Sequence, residues 1–268
     1  MAELKGPILF TGSIGNIRAY YDKSLKRYIV STKGGSTKEL IKNNPRFARQ
    51  RENMNEFKAC GMWASQLRQS LLSIGHLHQG YYFAEIVKLA KIIQKHDDDR
   101  LRGIRSIASS QDAGLLTNLN FNRFHPFEQV LTHQYTILFS EDKKTVTVKL
   151  LGFKSFSRIN WPVRYESYRI ALVIAQLPDF TWCKEDNCYQ PIVPNMQRLT
   201  VSSFSDWHPC STDLEDIILS ASFAQPALQL PGTTVVVALG IEVSSAMGDS
   251  SPINSSGFGT MKIVDCFV

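Results

Sequence analysis

The sequence lacks any long hydrophobic run. No stretch approaches the roughly 18–20 consecutive apolar residues that a membrane-spanning helix requires. Glu3 stands where a signal peptide would carry positive charge, and the apolar run that follows it is short. Prolines are few, at 11 in 268 residues, and 43% of the residues are hydrophobic, which excludes a disordered chain. We therefore expect a folded cytoplasmic protein without a membrane segment.

Cysteines are few, and recognisable catalytic motifs are missing. The cysteine count is five, an odd number that argues against a disulfide framework and favours reduced thiols. The sequence contains no G-x-S-x-G, G-x-x-x-x-G-K-[ST] or H-E-x-x-H motif, and no G-x-G-x-x-G motif after a strand. We therefore expect a protein that is not an enzyme and carries no cofactor.

The charge is distributed unevenly along the chain. Residues 1–110 carry 19 Lys and Arg against 9 Asp and Glu, a balance of +10. Residues 111–268 carry 11 against 15, a balance of −4. A chain polarised in this way can bind a polyanion through one end, or stack head-to-tail on copies of itself.

The first part of the chain predicts a hairpin followed by helices. Alternating strands at 14–21 and 27–32 flank a polar tip at 22–26. Asn44 and Pro45 begin a long helix that runs to about residue 73. Its predicted apolar stripe consists of Phe47, Met54, Phe57, Cys60, Ala64, Leu67 and Leu71. A second helix is predicted at 82–95, and a short third one at 100–107 after the acidic run 97–99.

The second part of the chain predicts strands. Residues 108–132 indicate irregular chain rich in asparagine. Predicted strands follow at 134–140, 145–153, 168–177, 198–204, 216–223, 233–243 and 260–268, and 244–256 is predicted to be a flexible loop. The expected fold class is α+β: an antiparallel β-sandwich of about seven strands with an N-terminal β-hairpin and a helical arm or insertion. The expected division is a hairpin plus a helical basic segment at 1–110 and a sandwich domain at 111–268, together one continuous unit.

A family resemblance rests on the N-terminal region. Residues 32–35 (TKGG) and 44–57 (NPRFARQRENMNEF) resemble a "K-G-G … P-x-F-x-x-x-R-E-N-x-x-E-F" pattern of conserved Bacteroidota proteins of unknown function. Residues 238–242 (ALGIE) are similar to a late strand of the same proteins. The resemblance covers about a fifth of the chain. It implies a lineage and no activity, cofactor or site residue.

Three groups of residues have metal-ligating chemistry. Cys183, Cys188, His208 and Cys210 have the residue types of a tetrahedral zinc site, but the C-x4-C and H-x-C spacings are weak signals. His76 and His78 lie on one side of an extended segment without an evident third ligand. The acidic run 97–99 lacks the spaced oxygen ligands of a calcium loop, and helix capping explains it. We expect no bound metal.

The basic residues form the candidate interaction face. The basic set, by which we mean these seven residues throughout, consists of Lys23, Lys26, Arg27, Lys42, Arg46, Arg49 and Arg51. Tyr20, Tyr21 and Tyr28 interleave with it, and a combination of basic and aromatic side chains is physically suited to nucleic acid. A solvated hairpin tip and helix face explain the same residues without any ligand.

The leading hypothesis is a non-enzymatic structural protein that self-associates into an oligomer, filament or shell. We expect the hairpin at 7–32 and the strand at 260–268 to contact other subunits. The first alternative is a nucleic-acid-binding protein that uses the basic first half. A further alternative is a carbohydrate-binding or enzymatic β-sandwich that uses exposed aromatics such as Trp161, Trp182 and Trp207.

Overall fold

The computed structural model describes residues 2–6, 9–80, 82–162, 165–194, 199–224, 231–244 and 259–268. The chain divides into two compact units, unit 1 at Met1–Arg51 and unit 2 at Glu52–Val268. The predicted loop at 244–256 lies almost wholly outside the described residues.

Unit 1 is built on the predicted hairpin. Its four-stranded antiparallel sheet has the order β1-β4-β3-β2, with β1 at Ala2–Glu3, β2 at Gly12–Ile14, β3 at Ile17–Asp22 and β4 at Arg27–Thr32. The carboxylate of Asp22 accepts hydrogen bonds from the backbone of Ser24 and Leu25, and Lys26 adopts a left-handed φ of 50°. These two features close the turn between β3 and β4, so the hairpin prediction is confirmed.

A short helix and a capped turn follow the sheet. Helix α1 covers Lys38–Asn43, and the Thr37 hydroxyl caps its N-terminus by accepting the Leu40 N–H at 3.2 Å. The Asn44 side chain accepts the Arg46 N–H at 2.9 Å and caps the 3-10 turn Pro45–Phe47. Helix α2 then covers Ala48–Ser70. The predicted start at Asn44 and Pro45 is therefore confirmed, although the first turn is 3-10.

The helical layer of unit 2 contains α2 and the predicted second helix. Helix α3 covers Tyr82–Lys95, as its apolar periodicity predicts, and buries Ile86, Ala90 and Ile93. Shorter elements are the 3-10 turns Leu72–Leu77 and Ala113–Leu115 and the single turns α4 (Phe127–Val130) and α5 (Ser155–Arg158). In the irregular region, the Asn122 carboxamide oxygen accepts the Phe124 and His125 N–H groups at 3.0 Å.

The strands of unit 2 form two principal antiparallel sheets. The strands of the central sheet are β8 (Ser167–Pro178), β11 (Thr200–Phe204), β12 (His208–Pro209), β15 (Thr233–Ser244) and β16 (Gly259–Phe267). Their order in the sheet is β11-β8-β15-β16, and β12 also pairs with β8. The second sheet has the order β14-β6-β5, with β5 at Tyr135–Phe139, β6 at Thr145–Leu150 and β14 at Ile217–Ser222. Two small sheets pair β9 (Phe180–Cys183) with β10 (Cys188–Pro191), and β7 (Phe153–Lys154) with β13 (Asp213–Leu214).

The central sheet is covered on both faces. Alternate residues of β8 and β15, such as Leu172 and Leu239, pack with Val148 of β6 in one apolar cluster. The intervening residues, such as Val173 and Ala238, pack with the side chains of α2 and α3 in another. The α+β class and the antiparallel sheets are thus confirmed. The prediction of a single seven-stranded sandwich is not met, because helices cover one face of the central sheet and further small sheets are present.

The apolar stripe predicted for the long helix is wrong in its first half. Cys60, Leu67 and Leu71 are buried as predicted, but Met54 and Phe57 are 56% and 65% exposed. Met54, Phe57 and Cys60 follow each other at steps of three residues, so Met54 and Cys60 point about 120° apart around a helix of 3.6 residues per turn. Met54 therefore lies well away from the face that contains Cys60.

The predicted helix at 100–107 is also wrong. Gly103 has a left-handed φ of 95°, which interrupts a helix. The Asp97 carboxylate accepts the N–H groups of Arg100 and Ser106, at 3.2 and 2.6 Å. The Asp97 carboxylate therefore organises the loop between residues 97 and 106 and does not cap a helix.

Candidate interaction surface

One face of the unit 1 sheet carries exposed apolar side chains. Residues directly opposite each other in paired strands share a face. The apolar sheet face, as defined by this pairing, consists of Ile14, Ile17, Ala19, Tyr21, Tyr28 and Val30. Ile14 is 65% exposed, Ile17 46% and Tyr21 45%. Half-exposed apolar side chains grouped on one sheet face are a feature of surfaces that contact other proteins.

Most of the basic set is exposed. Lys23, Lys26 and Arg27 lie at the β3–β4 turn, and Lys42, Arg46 and Arg49 lie on α1, the 3-10 turn and the first turn of α2. Arg27 forms an ion pair with Glu3 at 3.7 Å. The structure therefore places the set at two locations, the tip of the hairpin and the helical segment that follows it.

Arg51 of the basic set has a structural contact with the backbone at the end of α1. Its Nη1 donates to the carbonyl oxygens of Ile41 and Asn44, at 2.7 and 2.9 Å. These carbonyls lie in and just after α1, so the guanidinium satisfies backbone acceptors at a helix end. A substitution at Arg51 would therefore disturb this junction as well as the surface charge.

The positive charge of the chain is concentrated in unit 1. Residues 1–51 carry 11 Lys and Arg against 3 Asp and Glu, a balance of +8. Residues 52–268 carry 19 against 21, a balance of −2. Nearly all of the asymmetry that the sequence shows between its halves therefore comes from the first 51 residues.

The two predicted contact segments differ in how open they are. Strand β2 ends the unit 1 sheet, so among the described residues no strand pairs with its outer edge. The outer edge of β16 is partly covered, since Asn118 N–H donates to Ile263 O at 2.8 Å and Phe121 N–H to Met261 O at 3.0 Å. An edge whose backbone groups are already bonded cannot accept another strand, so this part of 260–268 is closed to strand pairing.

The four residues that were considered for a zinc site occupy different elements. Cys183 and Cys188 are paired across β9 and β10, whereas His208 lies in β12 beside Tyr168 of β8. The Cys210 thiol donates to the carbonyl oxygen of Tyr165 at 3.2 Å. Within the described residues, no three His, Cys, Asp or Glu side chains are grouped to hold a metal. The lack of zinc stays a prediction.

A charged cluster on the central sheet was not foreseen from the sequence. Glu242 of β15 is 3% exposed and lies opposite Arg169 of β8, whose Nε donates to its Oε2 at 2.7 Å. His76 Nε2 lies 3.0 Å from Oε1 of the same carboxylate. Burial raises the pKa of Glu242, but the hydrogen bonds with His76 and Arg169 outweigh burial and lower its pKa. The carboxylate therefore stays charged and fastens the 3-10 turn Leu72–Leu77 to the sheet.

Aromatic rings cover the same arginine. The Arg169 guanidinium lies 4.7 Å from the ring centre of Phe204 and 4.9 Å from that of Trp207. Such cation–π contacts hold the guanidinium in place. The sequence contained one indication of this cluster, because Glu242 is the one charged residue of the predicted strand at 233–243. Charged residues are rarely buried without a partner, so a partner for Glu242 could have been expected.

A second buried carboxylate joins the two long helices. Glu56 of α2 is 1% exposed and forms an ion pair with Lys91 of α3. Its Oε1 also accepts the Gly103 N–H at 2.8 Å. Burial raises the pKa of Glu56, but the contacts with Lys91 and Gly103 outweigh it and lower its pKa. Like Glu242, Glu56 thus has a complete set of partners and a structural role.

The histidines and tryptophans considered from the sequence also have packing partners. His78 packs against Tyr82 with ring centres 4.1 Å apart and ring planes tilted by 44°. Trp161 packs against His125 at 4.9 Å, and Trp182 against Tyr189 at 5.1 Å. Trp161, Trp182 and Trp207 are all half-buried, so none of the three offers a fully open surface for stacking on a sugar ring.

A surface cavity of about 300 Å³ lies beside α3. It is lined by Gln79, Tyr82, Glu85, Asn120, Phe121 and Arg123. The Tyr82 and Phe121 rings pack on each other with centres 5.9 Å apart. One carboxylate and one guanidinium give the cavity a balanced charge, so its lining does not select one class of ligand.

No family model matches this chain, and no curated protein matches it at a significant level. Among the described residues, no helix has both the length and the apolar character needed to cross a membrane.

Proposed function

We propose that the chain is a non-enzymatic structural protein that self-associates into an oligomer, filament or shell, with unit 1 as its contact surface. The exposed apolar sheet face is the observation that carries this proposal. Ile14, Ile17 and Tyr21 remain about half exposed or more on that face. A partner that covers them removes apolar surface from water, which stabilises the complex by roughly 25 cal/mol per Å² before the costs of association.

Charge favours one arrangement of the copies over the other. Two unit 1 surfaces that face each other would place charges of +8 and +8 together, so a symmetric contact through unit 1 is opposed by repulsion. A contact between unit 1 of one copy and unit 2 of the next brings +8 against −2. Such a head-to-tail contact is heterologous, and it closes into a ring or continues as a filament.

Additional exposed features of unit 2 fit a surface that receives a partner. Met54 and Phe57 stand exposed on neighbouring turns of α2. Strand β5 ends its sheet, and its Leu138 and Phe139 are about 40% exposed. A strand edge flanked by apolar side chains is suited to pairing with a strand from another molecule.

The experiment compares two double variants by light scattering during size-exclusion chromatography. Ile14→Ser with Ile17→Ser removes the two most exposed side chains of the apolar sheet face and should abolish or strongly weaken assembly. Leu72→Ser with Phe124→Ser is the matched control, because these side chains are 71% and 63% exposed in unit 2 and lie on neither α2 nor the β14-β6-β5 sheet. Equal assembly by both variants, or equal loss in both, would contradict the role of unit 1.

A second candidate function is nucleic-acid binding, which the charge of unit 1 favours. Its balance of +8 in 51 residues is accompanied by an Arg18 guanidinium 5.1 Å from the ring centre of Tyr20. Phosphate contacts through basic residues produce binding that weakens steeply with salt. Fluorescence anisotropy with a labelled single-stranded oligonucleotide tests it: salt-sensitive binding by a monomer favours this function, and no binding at low salt rejects it.

A further inference from the structure

Cys183 and Cys188 lie directly opposite each other at the end of the β9–β10 hairpin. The turn between them contains four residues, of which Asn187 adopts a left-handed φ of 50°. This conformation reverses the chain and brings the two strands into register at the cysteine pair. Both cysteines are half-buried free thiols.

The hydrogen-bonding phase of the hairpin sets the distance between the two cysteines. Phe180 exchanges both of its backbone hydrogen bonds with Ile107, so its N–H and C=O point away from β10. Its partner in β10 is Pro191, which has no N–H to donate. Phe180 and Pro191 are therefore a non-bonded pair. Hydrogen-bonded and non-bonded pairs alternate along an antiparallel ladder. Three positions further on, Cys183 and Cys188 therefore occupy a hydrogen-bonded pair, whose Cα atoms lie about 5.5 Å apart. Disulfides most often join Cα atoms at about 5.5–6 Å. The Cβ atoms of a hydrogen-bonded pair lie farther apart than the roughly 3.5–4.5 Å that a disulfide prefers, so a disulfide here would be strained and readily reduced.

The two sulfurs have different surroundings. The Cys183 thiol donates to Glu185 Oε2 at 3.1 Å, whereas the Cys188 sulfur accepts the Gln190 Nε2–H at 3.6 Å. The backbone N–H of Asp186 favours the Cys183 thiolate, but the Glu185 and Asp186 carboxylates help outweigh it, and the pKa of Cys183 is raised. The Cys183 thiol is held by a carboxylate, whereas the Cys188 sulfur accepts a hydrogen bond, so Cys188 is assigned as the attacking sulfur.

The remaining cysteines lack a comparable arrangement. Cys60 is fully buried and burial raises the pKa of its thiol to about 11. Burial raises the pKa of Cys266 to about 12. Cys210 donates its thiol hydrogen to the Tyr165 carbonyl oxygen and has no paired cysteine in the register of its neighbouring strands.

We propose that Cys183 and Cys188 form a reversible thiol–disulfide pair that a small disulfide, such as oxidised glutathione, converts to an intramolecular disulfide. The Cys188 thiolate attacks one glutathione sulfur, forms a mixed disulfide and releases one glutathione thiolate. Cys183 then loses its proton to solvent and attacks the Cys188 sulfur, which releases the second glutathione thiolate. The protein loses two electrons and two protons, and the oxidised glutathione gains both to become two thiols.

The new bond would fix an element that the structure already anchors at one end. Behind the cysteine pair, Trp182 and Tyr189 pack edge-to-face with ring centres 5.1 Å apart. The Tyr189 hydroxyl donates to the Gly103 carbonyl oxygen at 3.2 Å and so ties the hairpin to the loop after α3. Oxidation would therefore restrict the exposed turn at 184–187 and leave the anchored end unchanged.

Incubation of the folded 268-residue chain with oxidised glutathione, followed by unfolding in denaturant, alkylation, intact mass and peptide mapping, tests the proposal. The expected product has lost two hydrogen atoms, contains a 183–188 cross-linked peptide, and carries alkyl groups on Cys60, Cys210 and Cys266. A Cys210→Ser control should give the same cross-link. No cross-link, a persistent glutathione adduct on the wild-type pair, or a link through another cysteine would overturn the proposal.

Single variants test which sulfur attacks. Cys183→Ser removes the resolving thiol, so a glutathione adduct should accumulate on Cys188. Cys188→Ser should form its adduct on Cys183 several-fold more slowly. Equal or reversed rates would overturn the assigned order of attack.

Discussion

Two truncations on one helix test whether α2 has the buried and exposed faces described above. Leu67 is fully buried in the cluster with Trp63 and Leu71, and Phe57 is 65% exposed ten residues earlier. Leu67→Ala removes buried carbon atoms and leaves a cavity, so it should destabilise the subunit by about 2–5 kcal/mol. Full burial of a phenylalanine is worth about 1.5–3 kcal/mol, and one third of that gives roughly 0.5–1 kcal/mol for Phe57→Ala.

Urea unfolding at low protein concentration, followed by circular dichroism, measures both free energies of unfolding in the isolated subunit. The slope of the free energy against urea should be the same in both variants, so that the midpoints report stability. A loss above about 3 kcal/mol for Phe57→Ala would show that its ring is buried, and would refute the exposed face. A loss below about 1 kcal/mol for Leu67→Ala would equally refute the helical layer.

Two further perturbations address the charges. Glu242→Gln should destabilise the protein by about 3 kcal/mol at neutral pH, since it leaves the Arg169 guanidinium without its carboxylate. Because the folded-state pKa of Glu242 is lowered, the wild-type advantage should be complete above the usual pKa of 4.5 and shrink as pH falls below it; a constant difference across that range would contradict this assignment. Charge reversal at Lys23, Lys26 and Arg46 should slow assembly without changing the melting temperature, whereas reversal at the equally exposed Lys95, Lys149 and Lys154 of unit 2 should not slow it. Arg51 is omitted from the first variant because it bonds two backbone carbonyls, and equal rates in the two variants would show that charge on unit 1 does not steer association.

The elements that sequence patterns predicted are those whose determinants lie close together in the chain. Helix α3 follows from the spacing of Ile86, Ala90 and Ile93, and the β3–β4 turn follows from Asp22 and the polar residues after it. The seven longer strands of the two principal sheets were predicted within a few residues, because turn residues separate them in the sequence, whereas the two-residue strand β12 was not predicted.

The features that the sequence did not predict depend on residues that are distant in the chain. The cluster of His76, Arg169 and Glu242 joins three elements, and nothing local indicates which charged side chains meet. The loop at 100–107 depends on Asp97 reaching the Ser106 N–H and on the left-handed Gly103. The covering of the central sheet by helices on one face and by a second sheet on the other is likewise a long-range property, which local periodicity does not encode.

Self-association is tested most directly by sedimentation velocity of the unmodified 268-residue chain over a range of concentrations, in low and high salt. The expected result is a distribution that shifts to larger species as concentration rises, with faster approach to equilibrium at low salt, because charge steers the encounter and apolar contacts hold the complex. A single monomeric species at every concentration in low salt would contradict the proposed function.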